Sequence, residues 1–430
     1  MSDYDSDSLL EDLDALRVEG HAHLRGGSVR ASRRALASSE SLGNAQYSPS
    51  SVAADDMDDF PVRLISMEAL QFVGFRVEAA ESIWHDWIQC PDEAKGGLYD
   101  LMWFGKQHIR ETRRNAFDRA EDWASVLGAY GLKDEFITAV LNPDFEEIRL
   151  TQSCQFWAFD TIDLRFRSLG QLKRKSQYRL QQRKSKQSKM EQPLAESSSS
   201  PKKTSSTDSS FPVPLTALTS THPAEMLGHT LLWKGLDVER VKDLLNSDGT
   251  TNDLGCMVSL PRGDFNSRTL GYYFTKEKDV AEQYAAFAKA RSSSGNSITV
   301  CLVAVIVSHD FIKSIPEDRK KELWYGESDK TWSEYVWHCR LGHIIPSHLR
   351  HISAADLIEG SVAGCGQRQI EKLNSYQDIS NNHLLSRGRQ SGTPRGNATQ
   401  WFFSNNQDFE DRLMEATNKN VFLCTAAAEK

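Results

Sequence analysis

The sequence predicts an α+β protein: an all-helical N-terminal domain, then a domain of short strands alternating with helices. Three observations carry this reading. Apolar residues keep a helical spacing between Val77 and Leu169 with no strand-like alternation. Past His222 short β-rich pieces alternate with helical ones. Between the two lies a stretch, residues 191–223, with nine serines and five prolines, the composition of a linker.

Residues 1–59 are poor in aromatics and change sign from an acidic head (Asp3, Asp5, Asp7, Glu11, Asp12, Asp14) to a basic stretch (Arg25, Arg30, Arg33, Arg34). Such a segment buries too little apolar surface to offset its ordering entropy, so a disordered arm is expected. The helical domain is placed at 60–170. Val77, Ala80, Trp84, Trp87 and Ile88 share one helical face, and Pro91 ends that run. A second helix carries Ala116, Ala120, Trp123 and Leu127 and stops at Gly128 to Gly131. Asn142-Pro143 pairs a capping side chain with proline in the first turn. Beyond it Phe145, Ile148, Gln152, Phe156, Phe159, Ile162, Phe166 and Leu169 continue the 3–4 spacing.

A basic, then Ser/Pro-rich linker is expected over 171–222. Nine Lys or Arg and no acid lie between Arg167 and Lys189. The clusters within 173–189 fit a nuclear import factor, a solvated helix extension or an anionic surface contact alike. Tyr178 is the one interleaved aromatic, which argues against a specific nucleic-acid reader.

In the second domain, 223–360, Thr230 to Trp233, Leu270 to Phe274, Ile298 to Val307 and Thr331 to Cys339 are expected strands. Val238, Val241, Leu244 and Leu245 mark one helix, and Val280, Tyr284, Phe287 and Ala288 another. A polar tail with one helix near Asp408 to Thr417 completes the chain over 361–430.

Composition excludes several classes. Hydrophobic residues make up 39%, below the roughly 45–50% of globular chains, so part of the chain is expected not to fold. The net charge of −8 argues against a uniformly basic nucleic-acid binder. Seven cysteines are scattered without a CxxC, which speaks for a reducing compartment and against a zinc ribbon. The acidic start lacks the apolar core of a signal peptide, and the longest apolar run, Ile298 to Val307, is too short to cross a bilayer. An intracellular protein, cytoplasmic or nuclear and without a membrane span, is expected. His338, His343, His348 and His351 suggest a metal cluster by count, but their spacing on a strand followed by Pro346 scatters them. No metal is expected.

Three pieces of the second domain belong together: Lys234-Gly235 ending a short strand, Tyr273-Phe274 before a helix bearing Tyr284, and Ser333-Glu334-Tyr335 in an aromatic run. In this order they resemble the ADP-ribosyltransferase fold, in its poly(ADP-ribose) polymerase and diphtheria-toxin-like branch. That branch carries His-Gly, then Tyr-Phe and a second tyrosine eleven residues on, then Asn-Glu-Tyr on a late strand. The eleven-residue step from Tyr273 to Tyr284 is the same, and the resemblance covers about 120 of the 430 residues, Leu231 to Leu349.

The resemblance implies a split β-sheet domain that uses NAD as substrate, for mono-ADP-ribosyl transfer or NAD glycohydrolysis. Glu334 would stabilise the oxocarbenium-like transition state as carboxylates do in glycosidases. Tyr273 and Tyr284 would stack on the nicotinamide, Gly235 would admit the carboxamide to the backbone, and Lys234 would reach a ribose hydroxyl or phosphate. The acceptor, protein or nucleic acid, is not specified, and the helical domain would contact a protein partner. Each residue has a plainer reading: Glu334 as a rim carboxylate, the tyrosines as core, Lys234 as a solvated strand end. Lys234 replaces the branch's histidine, and Ala281 stands where a serine would hold the carboxamide. These departures define the alternative, a catalytically degenerate transferase fold acting as a binding or scaffold module.

Overall fold

The computed structural model describes residues 22–25, 28–32, 57–95, 99–115, 122–190, 218–292, 298–364, 373–387, 389–390, 393–394 and 396–426. Ala116, Ala120, most of the arm, the Ser/Pro-rich 191–217 and Cys365 lie outside them. Two compact units emerge. One takes the described residues of Met1–Gly105 and Arg165–Pro214. The other takes Lys106–Leu164 and the described residues of Leu215–Ser292 and Ile298–Lys430.

The first unit opens with strands β1 (Ala22–Arg25), β2 (Ser28–Ser32) and β3 (Met57–Pro61) in an antiparallel order β1-β2-β3. The sequence predicted a disordered arm here. Ala22, Val29 and Ala31 are too few to make a core, but Phe60 and, from a distant helix, Leu169 and Leu172 complete one around them. A local count of apolar residues misses such long-range burial. Helix α1 (Met67–Val73) is capped by Ser66, whose hydroxyl accepts from Ala69 N at 3.1 Å, and Gly74 ends it at φ 127°. Helix α2 (Val77–Gln89) buries Ala79, Ala80, Ile83 and Trp87, and Trp87 meets Phe104 edge-on at 5.6 Å. Of the expected face only Ala80 and Trp87 are buried; Val77 and Ile88 are exposed, because the buried stripe runs through Ala79 and Ile83 instead.

Helix α3 (Leu101–Asn115) crosses from one unit to the other after Gly105. In the second unit α4 (Trp123–Ala129) begins at Asp122, whose carboxylate accepts from Ala124 N and Ser125 N, and α5 (Asp134–Val140) follows. Asn142 caps a turn as predicted, accepting from Asp144 N at 3.0 Å. The helix it starts is short, though: α6 (Glu146–Arg149) ends at Leu150, and α7 (Cys154–Met190) restarts beyond a break at 150–153. The break is stabilised by Thr151, whose hydroxyl donates to Ile148 O, and by Ser153, which accepts from Phe156 N. Helix α7 passes into the first unit after Leu164 and carries the predicted basic linker to residue 190 as helix. The side chains from 174 onward, and with them most of the 173–189 import segment, lie outside the described residues.

Next come β4 (His229–Asp237), β5 (Gly271–Phe274), α8 (Lys278–Arg291), β6 (Val300–Ser308), α9 (His309–Ser314) and β7 (Lys320–Leu323). They are followed by α10 (Thr331–Leu341), α11 (Arg350–Ser353), β8 (Leu357–Ser361), β9 (Arg389–Gln390) and β10 (Thr393–Pro394). Strand β11 (Thr399–Ser404), α12 (Gln407–Thr417) and β12 (Val421–Thr425) close the chain. One sheet is antiparallel, in the order β12-β6-β4, with β6 buried at its centre. A second runs β5-β11-β8-β7, parallel only between β7 and β8, and β9 pairs antiparallel with β10. A backbone bridge between Trp233 and Thr275 joins the corners of the sheets holding β4 and β5, with N···O distances of 2.7 and 2.9 Å.

Each unit mixes strands and helices, so the α+β class holds. Three expectations need correction. Thr331 to Cys339 is helix α10, not a strand: Trp332, Tyr335, Val336 and Cys339 are all buried at the helical spacing i, i+3, i+4, i+7. Its β-branched and aromatic content suggested a strand, while the helix signals were Asp329, which accepts from Thr331 N at 2.9 Å, and Gly342 at φ 68°. Val238 to Leu245 forms turns, not a helix, because Arg240 and Asp237 are tied to neighbouring backbone. The tail beyond 360 supplies β11 and β12, central to one sheet and edge to the other, together with the predicted helix, α12. No described helix is long and apolar enough to cross a membrane.

Candidate functional site

All five residues singled out by the sequence lie in the second unit, and each is already engaged. Lys234 sits on β4, where its Nζ donates to Tyr273 O at 3.1 Å and to Ser259 Oγ at 3.3 Å. Burial, reinforced by the Arg240 charge, lowers its pKa to about 7. Arg240 itself donates to Cys256 O and Val258 O, and burial pushes the Cys256 thiol up to about 12. Lys234 is therefore held by one backbone carbonyl and one serine hydroxyl.

Gly235 is explained by packing. A Cβ there would lie 2.0 Å from Ala281 O and 2.7 Å from Ala285 N, so only glycine lets α8 rest directly on β4. Ala281 and Ala285 are buried for the same reason.

Both tyrosine hydroxyls are held by internal hydrogen bonds, and both feel the charges of Asp264 and Arg340. Tyr273 OH donates to Asn266 Oδ1 at 2.8 Å and accepts from Phe265 N at 2.7 Å. Tyr284 OH donates to Thr151 Oγ1 at 3.0 Å. Burial raises both phenols, Tyr284 to about 12, with the Asp264 charge adding to each. Near both lies the ion pair Arg340–Asp264, both side chains 2% exposed. Arg340 Nε donates to Asp264 Oδ1 at 2.6 Å, and its other nitrogens donate to Thr151 O and Ala363 O. Asp264 Oδ2 accepts from Ala363 N at 2.9 Å and Gln400 Nε2 at 2.7 Å. One carboxylate thus ties together α10, the loop before β5, the end of β8 and β11.

Glu334 occupies the outer side of α10. Its side chain is 17% exposed, and Oε2 lies 3.2 Å from Nε2 of the exposed His348. Trp332, the expected strand neighbour, is fully buried and donates to Ser361 O at 3.1 Å. Burial, with the neighbouring His343, lowers the His338 pKa. Among the described residues no group of three or more His, Cys, Asp or Glu is arranged to hold a metal.

Sequence reasoning missed Arg340, Asp264 and Gln400. The available signal was Gly263-Asp264-Phe265-Asn266, a turn-like run carrying an acid that has no reason to be buried unless a cation meets it.

A separate cleft of about 770 Å³ opens beside this network. Phe265, Tyr335 and Phe402 line it, with Arg268, Arg319, Arg350 and His343 around them. None of Lys234, Gly235, Tyr273, Tyr284 or Glu334 is among its lining residues. Comparison with protein-family models, with curated proteins and with solved structures gives no match to this chain.

Proposed function

We propose that the second unit is a ligand-binding module on an ADP-ribosyltransferase-like frame, and that it does not turn over NAD⁺. One observation carries this reading: the hydroxyls of Tyr273 and Tyr284 are consumed in the network around Arg340 and Asp264. Turning either ring to clamp a nicotinamide would orphan buried polar groups, at a cost of about 1–3 kcal/mol for each.

The remaining transferase candidates support it. The space above Gly235 is filled by the α8 backbone. Glu334 sits on a helix beside His348, where a strand would be needed to aim it at a ribose. Lys234 is spent on Tyr273 O and Ser259. The test is nicotinamide release by the full chain incubated with NAD⁺. The binding-module reading expects none above background. Release that is abolished in Glu334→Gln would establish the transferase reading instead.

A further inference from the structure

The cleft has a chemistry of its own. None of its described lining residues is acidic, in a chain whose net charge is −8. Arg319 is held on two edges by Asp356, Nε to Oδ2 at 3.0 Å and Nη2 to Oδ1, so its charge is largely answered. Among the described residues Arg268 makes only a long contact, 3.5 Å, to Gly342 O. The Arg350 guanidinium has no hydrogen-bond or ion-pair partner among the described residues and stands exposed at the start of α11. Two arginines thus leave a positive excess lining one space.

That space is not only polar. Ile344 is 71% exposed and Leu270 38% exposed, both on its wall. Phe265, Tyr335 and Phe402, which belong to the core, line its inner side. Exposed apolar groups beside unanswered guanidinium groups suit a ligand that is anionic at one end and apolar at the other. A volume of about 770 Å³ admits a small organic molecule and is far larger than a bare ion needs.

We infer that this cleft binds a small phosphate monoester carrying an apolar or aromatic group. Arg268 and Arg350 take the phosphate oxygens through charge-assisted hydrogen bonds, a geometry to which guanidinium is suited. Ile344 and Leu270 cover the apolar end. Because the cleft shares no residue with the transferase candidates, the inference stands or falls apart from the question of NAD⁺ turnover.

The test is isothermal titration of the full chain with phenyl phosphate, inorganic phosphate and phenol. Saturable 1:1 binding of phenyl phosphate is expected, tighter than that of inorganic phosphate and weaker at higher salt. Arg350→Gln should weaken both phosphates roughly tenfold, the scale of one lost charge-assisted hydrogen bond. Ile344→Ser should weaken phenyl phosphate and leave inorganic phosphate unchanged. Both changes are at exposed positions, so circular dichroism should match the parent. The inference is overturned if phenyl phosphate does not saturate, if Arg350→Gln binds it as tightly as the parent, or if phenol binds equally well.

Discussion

Replacing Asp264 by alanine should unfold most of the second unit's stability margin. The carboxylate accepts from Arg340, Ala363 N and Gln400 Nε2, and both members of the ion pair are 2% exposed. Without it Arg340 stays buried beside the carbonyls of Thr151 and Ala363, its ion pair lost. Removing one partner of a buried pair costs roughly 3–5 kcal/mol. Each orphaned donor adds about 1–3 kcal/mol, not additively. A loss of at least about 4 kcal/mol is therefore expected, set against a total of about 5–15 kcal/mol for a typical domain. Hydrogen exchange of the β8 and β11 amides reads this unit directly. Removing both charges together, Asp264→Leu with Arg340→Met, should recover at least half of the loss, because no unpaired charge is left inside. A fall in protection of less than about tenfold for Asp264→Ala, roughly 1.4 kcal/mol, would refute the reasoning.

Three further outcomes follow from the same geometry. Gly235→Ala should destabilise by about 1–3 kcal/mol or more, since its Cβ would strike backbone atoms of α8; a thermal melt unchanged within a degree would contradict this. Lys234, with its pKa lowered to about 7, should make stability depend on pH. Below that value the folded state must carry a buried ammonium that the unfolded chain keeps in water, so folding is penalised. The penalty disappears as pH rises from about 7 towards the unfolded value near 10, at up to about 1.4 kcal/mol per pH unit. The stability of the parent relative to Lys234→Met, from urea titrations, should accordingly rise across that window, and a difference independent of pH would count against a buried amine. Glu334→Gln should change stability by less than about 1 kcal/mol, as for other exposed ion pairs, because its partner His348 is 62% exposed; a larger loss in urea titration would show that Glu334 supports the core.

Much of the architecture was legible. Helices α8 and α12 follow from periodicity, β6 from a continuous apolar run buried on both faces, and α2 is found as a helix although its buried face is Ala79, Ala80, Ile83 and Trp87 rather than the expected one. What failed did so for physical reasons. Thr331 to Leu341 is rich in residues that favour strands, and burial of Trp332, Tyr335, Val336 and Cys339 on one face outweighed that preference. The β1–β3 sheet depends on Leu169 and Leu172, more than a hundred positions away in the chain, which no local window contains.

At the site, the sequence picked out Tyr273 and Tyr284 together, and the structure brings both to the Arg340–Asp264 network. Their roles were not legible, because a tyrosine that stacks on a ligand and one that closes an internal hydrogen bond look the same in sequence. The partner of each hydroxyl decides between them, and Asn266 and Thr151 belong to loops whose conformation no periodicity describes. The cleft was equally hidden: Arg268, Arg319 and Arg350 are far apart in the chain and meet only through the fold.

The central claim is that this frame binds without transferring ADP-ribose. It is tested most directly by incubating the full chain and its Glu334→Gln variant with NAD⁺ labelled in the nicotinamide ring, and counting released nicotinamide. The account predicts background release from both proteins. Saturable release by the parent that falls about a hundredfold or more in Glu334→Gln, the scale of lost transition-state electrostatics, would contradict it.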